Sequence, residues 1–236
     1  MSGVIPVIAI DGPSGAGKGT VCQALARRFG WHYLDSGALY RLVGHAAFLH
    51  AIDFADSAAL ARVARELDVS FEVTEAGVRT LLEGVEVGDE IRSEAAGNRA
   101  SIVAALEPVR SALIERQHGF RRSPGLIADG RDMGTVIFPD APLKVFLTAS
   151  ATERANRRYK QLKEKGMDAN ISTLVREIAE RDERDRNRAT APLRPADDAI
   201  VFDTSTIPAD AVIDRLIELA GEHLGELSAF INQPAP

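Results

Sequence analysis

The chain of 236 residues has a single cysteine, Cys22, so no disulfide can close within it, and a reducing cytoplasm suits such usage. It lacks any apolar run of the ~18 residues that a membrane helix needs. It lacks an excess of positive charge: 28 Lys and Arg stand against 34 Asp and Glu, a formal net charge of -6. That balance argues against a nucleic acid polymer as partner. The five histidines (His32, His45, His50, His118, His223) show no metal-ligand spacing and read as scattered structural residues. Met1 to Pro6 carry neither a basic n-region nor a cleavage pattern, and no signal peptide is expected. There is no internal repeat.

What is present is an ordinary globular composition, with 45% hydrophobic and 26% charged residues. The length suffices for one α/β domain with an inserted module and is thin for two independent cores. Val7 to Ile10 is an apolar run bounded by Pro6 and Asp11, and it reads as a buried strand. A glycine-rich turn follows. Val21, Leu25 and Phe29 then recur at helical spacing, which predicts a helix over 18–29 with Gly30 as its stop. A strand is predicted at His32 to Leu34, a turn at Asp35-Ser36-Gly37, and a helix from Ala38 to about Leu49. Trp31 and Cys22 read as core or helix-packing residues.

The stretch 56–101 has another rhythm. A short helix (Leu60, Val63, Ala64, Leu67) leads into Val69 to Val73, where apolar and polar residues alternate. Further strands are predicted at Val78 to Leu82 and Val85 to Val87, with turns at Glu75-Ala76-Gly77 and Gly84. Short strands joined by tight turns form meanders rather than βαβ units. The βα rhythm resumes with helices to about Arg122 and strands at Leu126 to Ala128 and Val145 to Leu147. Ser150 to Glu153 has capping-box spacing and opens a helix toward Lys165, which Gly166 breaks. A second charged helix is predicted over about 172–188, a last strand at Ile200 to Phe202, and a closing helix from Pro208.

Gly12, Pro13, Ser14, Gly15, Ala16, Gly17 and Lys18 satisfy G-x-x-x-x-G-K between a predicted strand and a predicted helix, the context the motif requires. Glycines let successive backbone N–H groups converge on phosphate oxygens, and the helix start adds partial positive charge. Lys18 supplies a full charge between β- and γ-phosphates. A dinucleotide-binding turn is excluded, because G-x-G-x-x-G is missing. Where the general motif places Ser or Thr as a Mg²⁺ ligand stands Gly19, with Thr20 after it, so no side chain at that slot can ligate the ion. From Glu153 to Arg188 eleven Lys or Arg meet eight Asp or Glu. A locally basic segment in an acidic chain suits a small anionic ligand. Charge alone fits a solvated helical face equally well. Arg181, Arg184, Asp185 and Arg188, spaced i, i+3, i+4, i+7, are predicted on one face, and an Arg181–Asp185 surface ladder is the competing reading. Asp129 follows an apolar strand, where a carboxylate serves either as an acid near Mg²⁺ or as a turn cap.

Four strings together resemble bacterial cytidylate kinases: Ile10 to Thr20, Leu34 to Arg41, Ile127 to Thr135, and Arg181 to Arg188. The resemblance runs in order from residue 4 to about 224, the insert after Ala55 included. It implies an α/β fold of the P-loop NTPase type. A parallel sheet is flanked by helices, with a small inserted antiparallel-strand module for the nucleoside monophosphate and a helical lid. In these terms 1–55 and 102–225 form the kinase core, with the lid at about 153–170. Residues 56–101 form the insert, and 226–236 are a tail expected to be disordered. The resemblance further implies transfer of the γ-phosphoryl group of ATP to CMP or dCMP, with Mg²⁺ accompanying ATP. It places ATP at residues 12–20 and Arg157. It places the acceptor phosphate at Arg41 and Arg131, and the base at Ser101, Arg110 and Asp132 with Arg188 nearby. Ser36, Arg181 and Asp185 fall to the sugar or phosphate. Asp129 holds Mg²⁺ through water. Lys18, Arg131, Arg181, Arg184 and Arg188 supply charge to the phosphoryl group in flight, which needs placement and positive charge more than a strong base. The partners expected are ATP and CMP or dCMP, with no polymer and no membrane, for a monomer in the cytoplasm. The competing readings are a P-loop kinase for UMP, AMP or shikimate, and a P-loop switch module.

Overall fold

The computed structural model describes residues 5–74, 77–164 and 166–224. The tail 226–236, Glu75 and Ala76 of one predicted turn, and the predicted helix end at Lys165 lie outside them. Two compact units divide the chain, one holding the described residues up to Asp35 and from His118 onward, the other Ser36–Gln117.

The first unit is built on β1 (Val7–Asp11), β2 (His32–Asp35), β6 (Leu126–Gly130), β7 (Leu143–Thr148) and β8 (Ile200–Asp203), in the order β2-β6-β1-β7-β8. Every pairing is parallel. Strand β1 lies at the centre with all five residues buried, which is why its sequence is continuously apolar rather than alternating. Helices α1 (Lys18–Phe29) and α8 (Ala209–Leu224) pack on one another. They enclose a core with Ile8, Ile10, Leu25, Phe29, Trp31 and Leu216. Each such side chain contributes about 1.5–3 kcal/mol on burial. Helix α1 begins and ends at the predicted residues, with Gly30 in a left-handed conformation after it. Helices α6 (Ala151–Glu164) and α7 (Ile171–Asn187) form a hairpin with its own small core of Ala155, Leu162, Leu174 and Ile178. Ser150 accepts from the Glu153 N–H at 3.2 Å, as its capping-box spacing predicts.

Gly125 precedes β6 against the face of Trp31. A Cβ there would lie 2.4 Å from the indole Cδ2, with two further ring carbons at 2.5 and 2.6 Å. Neither group can yield, since Trp31 is buried in the core. Gly125→Ala is therefore expected to destabilise by about 2 kcal/mol or more. Thermal denaturation should show Tm lower by roughly 4–8 °C, and an unchanged Tm would show that the ring moves aside freely.

The second unit contains α2 (Ser36–Leu49), α3 (Ser57–Arg65), β3 (Val69–Thr74), β4 (Gly77–Leu82), β5 (Val85–Glu86), α4 (Glu94–Val103) and α5 (Glu107–His118), whose last residue belongs to the first unit. The three strands form the predicted antiparallel meander, in the order β3-β4-β5. The unit is wider than the stretch 56–101 because α2 packs on α3 and α4. The predicted turn at Asp35-Ser36-Gly37 is instead a direct passage from β2 into α2. Asp and Ser start helices as readily as they make turns.

Candidate active site

In open parallel sheets ligands bind beyond the carboxyl ends of the strands. In the first unit β1 leads there into the phosphate loop. Gly12 has φ 146°, and a Cβ on it would come 2.0 Å from the Leu147 carbonyl oxygen of β7. Only glycine lets the chain leave the sheet at that point. Three loop carbonyls are held by side chains. Lys18 Nζ donates to Pro13 at 3.1 Å, Arg154 Nη1 to Ser14 at 3.0 Å, and Thr204 Oγ1 to Ala16 at 3.2 Å. A loop pinned through its carbonyls suits a nest of N–H groups for phosphate.

Lys18 Nζ lies 3.8 Å from Asp129 Oδ1. Burial acts against charge on both groups. It brings the Lys18 ammonium down to about 8, helped by the nearby Arg131 charge. It pushes the Asp129 carboxyl up to about 6, with Lys18 pulling the other way and Asp35 adding to the rise. Asp35 and Asp129 are paired residues on β2 and β6, and Tyr33 donates to Asp129 Oδ2 at 3.4 Å. An arriving anion favours the ammonium form of this buried lysine and raises its pKa again.

The turn after β6 carries the next residues. Arg131 Nε donates to Asp185 Oδ2 of α7 at 3.1 Å. Asp132 Oδ1 lies 3.6 Å from Arg188 Nη2, with both side chains almost wholly buried. A π-helical turn, Met133–Ile137, follows. Arg181 Nη1 reaches Ser14 Oγ at 3.4 Å. Arg157 donates to Glu153 at 3.0 Å, to Thr204 Oγ1 at 3.2 Å and to the Thr204 carbonyl. A Cβ on Gly17 would come 3.8 Å from Arg157 Nη1, so this guanidinium borders the loop.

The predicted single face of arginines is corrected in two respects. Arg188 lies past the end of α7 in extended conformation (φ -62°, ψ 138°), which is how it reaches Asp132. Along α7, Asp182 and Asp185 are buried while Arg184 is exposed. Asp185 is buried and pairs with Arg131, so it is not the surface residue that a ladder would require.

In the second unit, Arg41 Nη1 donates to the Ile91 carbonyl at 2.6 Å and to that of Ser93 at 3.1 Å. Ser36 Oγ donates to Gln117 Oε1 at 2.8 Å. Arg110 is buried, bonded to the Ala104 carbonyl at 3.4 Å, with its guanidinium 5.8 Å from the Tyr40 ring centroid. Ser101 is buried on α4. A phosphate loop with a buried lysine, arginines from three further elements and a buried Asp132–Arg188 pair is machinery for phosphoryl transfer to a small polar acceptor.

The family model described as Cytidylate kinase matches residues 8–222. This chain belongs to the cytidylate kinase family. The cytidylate kinase of Pseudomonas aeruginosa (strain UCBPP-PA14) is 59% identical over 219 residues, 92% of this chain and 96% of the relative. That of Aeromonas salmonicida (strain A449) is 55% identical over 229 residues, 97% of this chain and 100% of the relative. The likeness thus spans both units of the kinase.

Several residues that organise the kinase's site were not singled out from sequence. Arg154 makes a buried bidentate pair with Asp182 at 3.0 and 2.5 Å while also holding the Ser14 carbonyl. Both sit in a charged stretch that reads as a solvated face, and only the i, i+4, i+11 spacing of Ala151, Ala155 and Leu162 hints at a buried side. Asp11 accepts from Met133 and Gly134 N–H, each at 2.8 Å. Burial pushes its carboxyl up to about 7, opposed by these two bonds and supported by the Asp132 charge. Thr204, which bridges Arg157 and Ala16, carries no sequence signal.

Proposed function

We propose that this kinase transfers the γ-phosphoryl group of ATP to CMP or dCMP, giving ADP and CDP or dCDP, in pyrimidine nucleotide metabolism. The observation that carries the reading is the buried Lys18 beside Asp129, with Arg131 and Asp132 on the same β6 turn and held by α7 and Arg188. Residues 12–20 and Arg157 bind ATP, and Lys18, Arg131, Arg181, Arg184 and Arg188 stabilise charge on the transferred group. Arg41 and Arg131 take the acceptor phosphate. Ser36, Arg181 and Asp185 serve its sugar or phosphate. Ser101 and Arg110 of the second unit are assigned to the base by the resemblance. Asp132 accepts from the exocyclic amine of cytosine. The hairpin of α6 and α7 acts as the lid, which its separate small core and the left-handed Gly166 (φ 72°) support. The stretch 56–101 serves the nucleoside monophosphate.

Mg²⁺ enters with ATP and neutralises charge on the β- and γ-phosphates. Among the described residues no three His, Cys, Asp or Glu side chains gather as a metal site. Gly19 offers no side chain, and a Cβ there would lie 3.8 Å from Asp129 Oδ2. Asp129 facing that slot would fit an ion held mainly by phosphates and water, which it would reach through water. The kinase works as a monomer in the cytoplasm, with ATP and CMP or dCMP as its partners and neither a polymer nor a membrane.

A coupled ADP-release assay over nucleoside monophosphates tests the reading. CMP and dCMP are expected to exceed UMP in kcat/KM by tens- to thousands-fold (~1–3 kcal/mol per mismatched polar group). Asp132→Asn adds an amide donor that can face the O4 of uracil. It is expected to lose CMP activity and to narrow the CMP-to-UMP ratio. Comparable turnover of UMP or AMP by the wild type would overturn the acceptor assignment. A ratio unchanged in Asp132→Asn while both activities fall together would remove Asp132 from base recognition.

A further inference from the structure

Asp11 ends β1, directly before Gly12 of the phosphate loop, yet its carboxylate is turned toward the segment after β6. The register of β1 and β6 pairs Asp11 with Gly130, which brings it beneath that segment. Its Oδ1 accepts from the Met133 N–H and its Oδ2 from the Gly134 N–H, both at 2.8 Å, and the side chain is buried. Met133 and Gly134 open the π-helical turn. The first N–H groups of a helical turn have no acceptor within it. The residue placed to cap them from its own chain is Asp132, and Asp is among the preferred N-cap residues. Asp132 nevertheless makes no cap bond, and its carboxylate is directed to Arg188.

We propose that Asp11 is a positioning residue that caps the Met133–Ile137 turn in place of Asp132, and so holds the Asp132 carboxylate in the orientation that reads the acceptor base. The proposal deepens the assignment of Asp132 made above and rests on it. Two buried amides require acceptors. With Asp11 removed, the carboxylate adjacent in sequence is that of Asp132, and a rotation that satisfies the amides takes it away from Arg188. Discrimination between cytosine and uracil is then lost through a residue that never touches the nucleotide.

Two measurements on the full chain decide it. In the wild type, the Met133 and Gly134 amides are expected to exchange as slowly as those of Ile8 to Ile10 in β1, and Asp11→Asn should speed them at least tenfold. Fast exchange in the wild type overturns the cap whether or not the variant folds. In the ADP-release assay, Asp11→Asn should narrow the CMP-to-UMP ratio of kcat/KM about tenfold, in the direction of Asp132→Asn. Placed on an Asp132→Asn background it should leave the ratio where it is. An Asp11→Asn enzyme that is slower with both acceptors at an unchanged ratio, while Asp132→Asn narrows it, makes Asp11 merely structural and overturns the proposal. If Asp132→Asn itself leaves the ratio unchanged, the base assignment fails and takes the link to Asp11 with it. The exchange data still decide the cap separately.

Discussion

Lys18→Ala is expected to fold and to bind ATP, and to turn over at least about 10²–10³ times more slowly than the wild type. The lysine sits on the first residue of α1, with its charge delivered where negative charge shifts between the β- and γ-phosphates. The arginines of the site act beside it rather than in its place, since Arg131, Arg154, Arg157 and Arg181 are also held by Asp185, Asp182, Thr204 and Ser14. The fold should survive. Loss of the ammonium leaves Asp129 buried, and a carboxyl already raised to about 6 can take up a proton rather than stand as an isolated charge. A second readout is independent of turnover. Burial holds Lys18 at about 8 in the ligand-free protein, so at about pH 9 most molecules carry it neutral. Phosphate favours the ammonium and raises its pKa. ATP binding at about pH 9 should therefore take up protons, and binding near pH 6.5 should take up none through this group. Calorimetry in two buffers of different ionisation enthalpy measures the difference, and Lys18→Ala should abolish it. Turnover near the wild-type value, or proton uptake unchanged in the variant, would remove Lys18 from the phosphate site.

Arg131→Met is the second large effect, and it has two components. Arg131 neutralises Asp185, whose side chain is 6% exposed. Removing one partner of a buried pair costs up to about 3–5 kcal/mol, because the remaining carboxylate loses compensating charge. Loss of a cation from the transferred and accepting phosphates should independently lower acceptor kcat/KM by about 10²-fold or more. The double variant Arg131→Met, Asp185→Asn separates the two. With the carboxylate neutralised as well, most of the lost Tm should return. Activity should not, since the phosphate still lacks its cation. Recovery of activity together with Tm would show that Arg131 only holds α7 in place.

The phosphate loop, the helix after it and the parallel strands were legible because each is written locally. An apolar run, a glycine pattern and i, i+4 spacing need no knowledge of the rest of the chain. The pairing of charges was not legible. Asp182 and Asp185 stand among basic residues just as surface ladder partners do. Their burial depends on Arg154 and Arg131, which arrive from α6 and from the β6 turn. Asp11 looks like any polar residue closing a strand, and nothing in its neighbours tells that it caps a turn 122 positions away. Arg188 was placed on α7 by spacing, but the helix stops one residue short and the extended conformation redirects it. Ser101 and Arg110 sit in plain helical patterns, and family resemblance alone singled them out.

The order of the strands also bears on how the chain is made. The neighbours of β1 are β6 and β7, which begin at Leu126 and Leu143. Its own residues, Val7 to Asp11, leave the ribosome well before either neighbour and are fully buried in the finished sheet. At about 5–20 residues per second, on the order of ten seconds pass before either partner exists. Throughout that interval the nascent chain carries a Val-Ile-Ala-Ile segment with no strand to join. The unit Ser36–Gln117, by contrast, has all its own strands translated before β6 appears. Synthesis therefore completes the Ser36–Gln117 unit before the parallel sheet can close around β1, which waits for its partners longer than any other strand of that sheet.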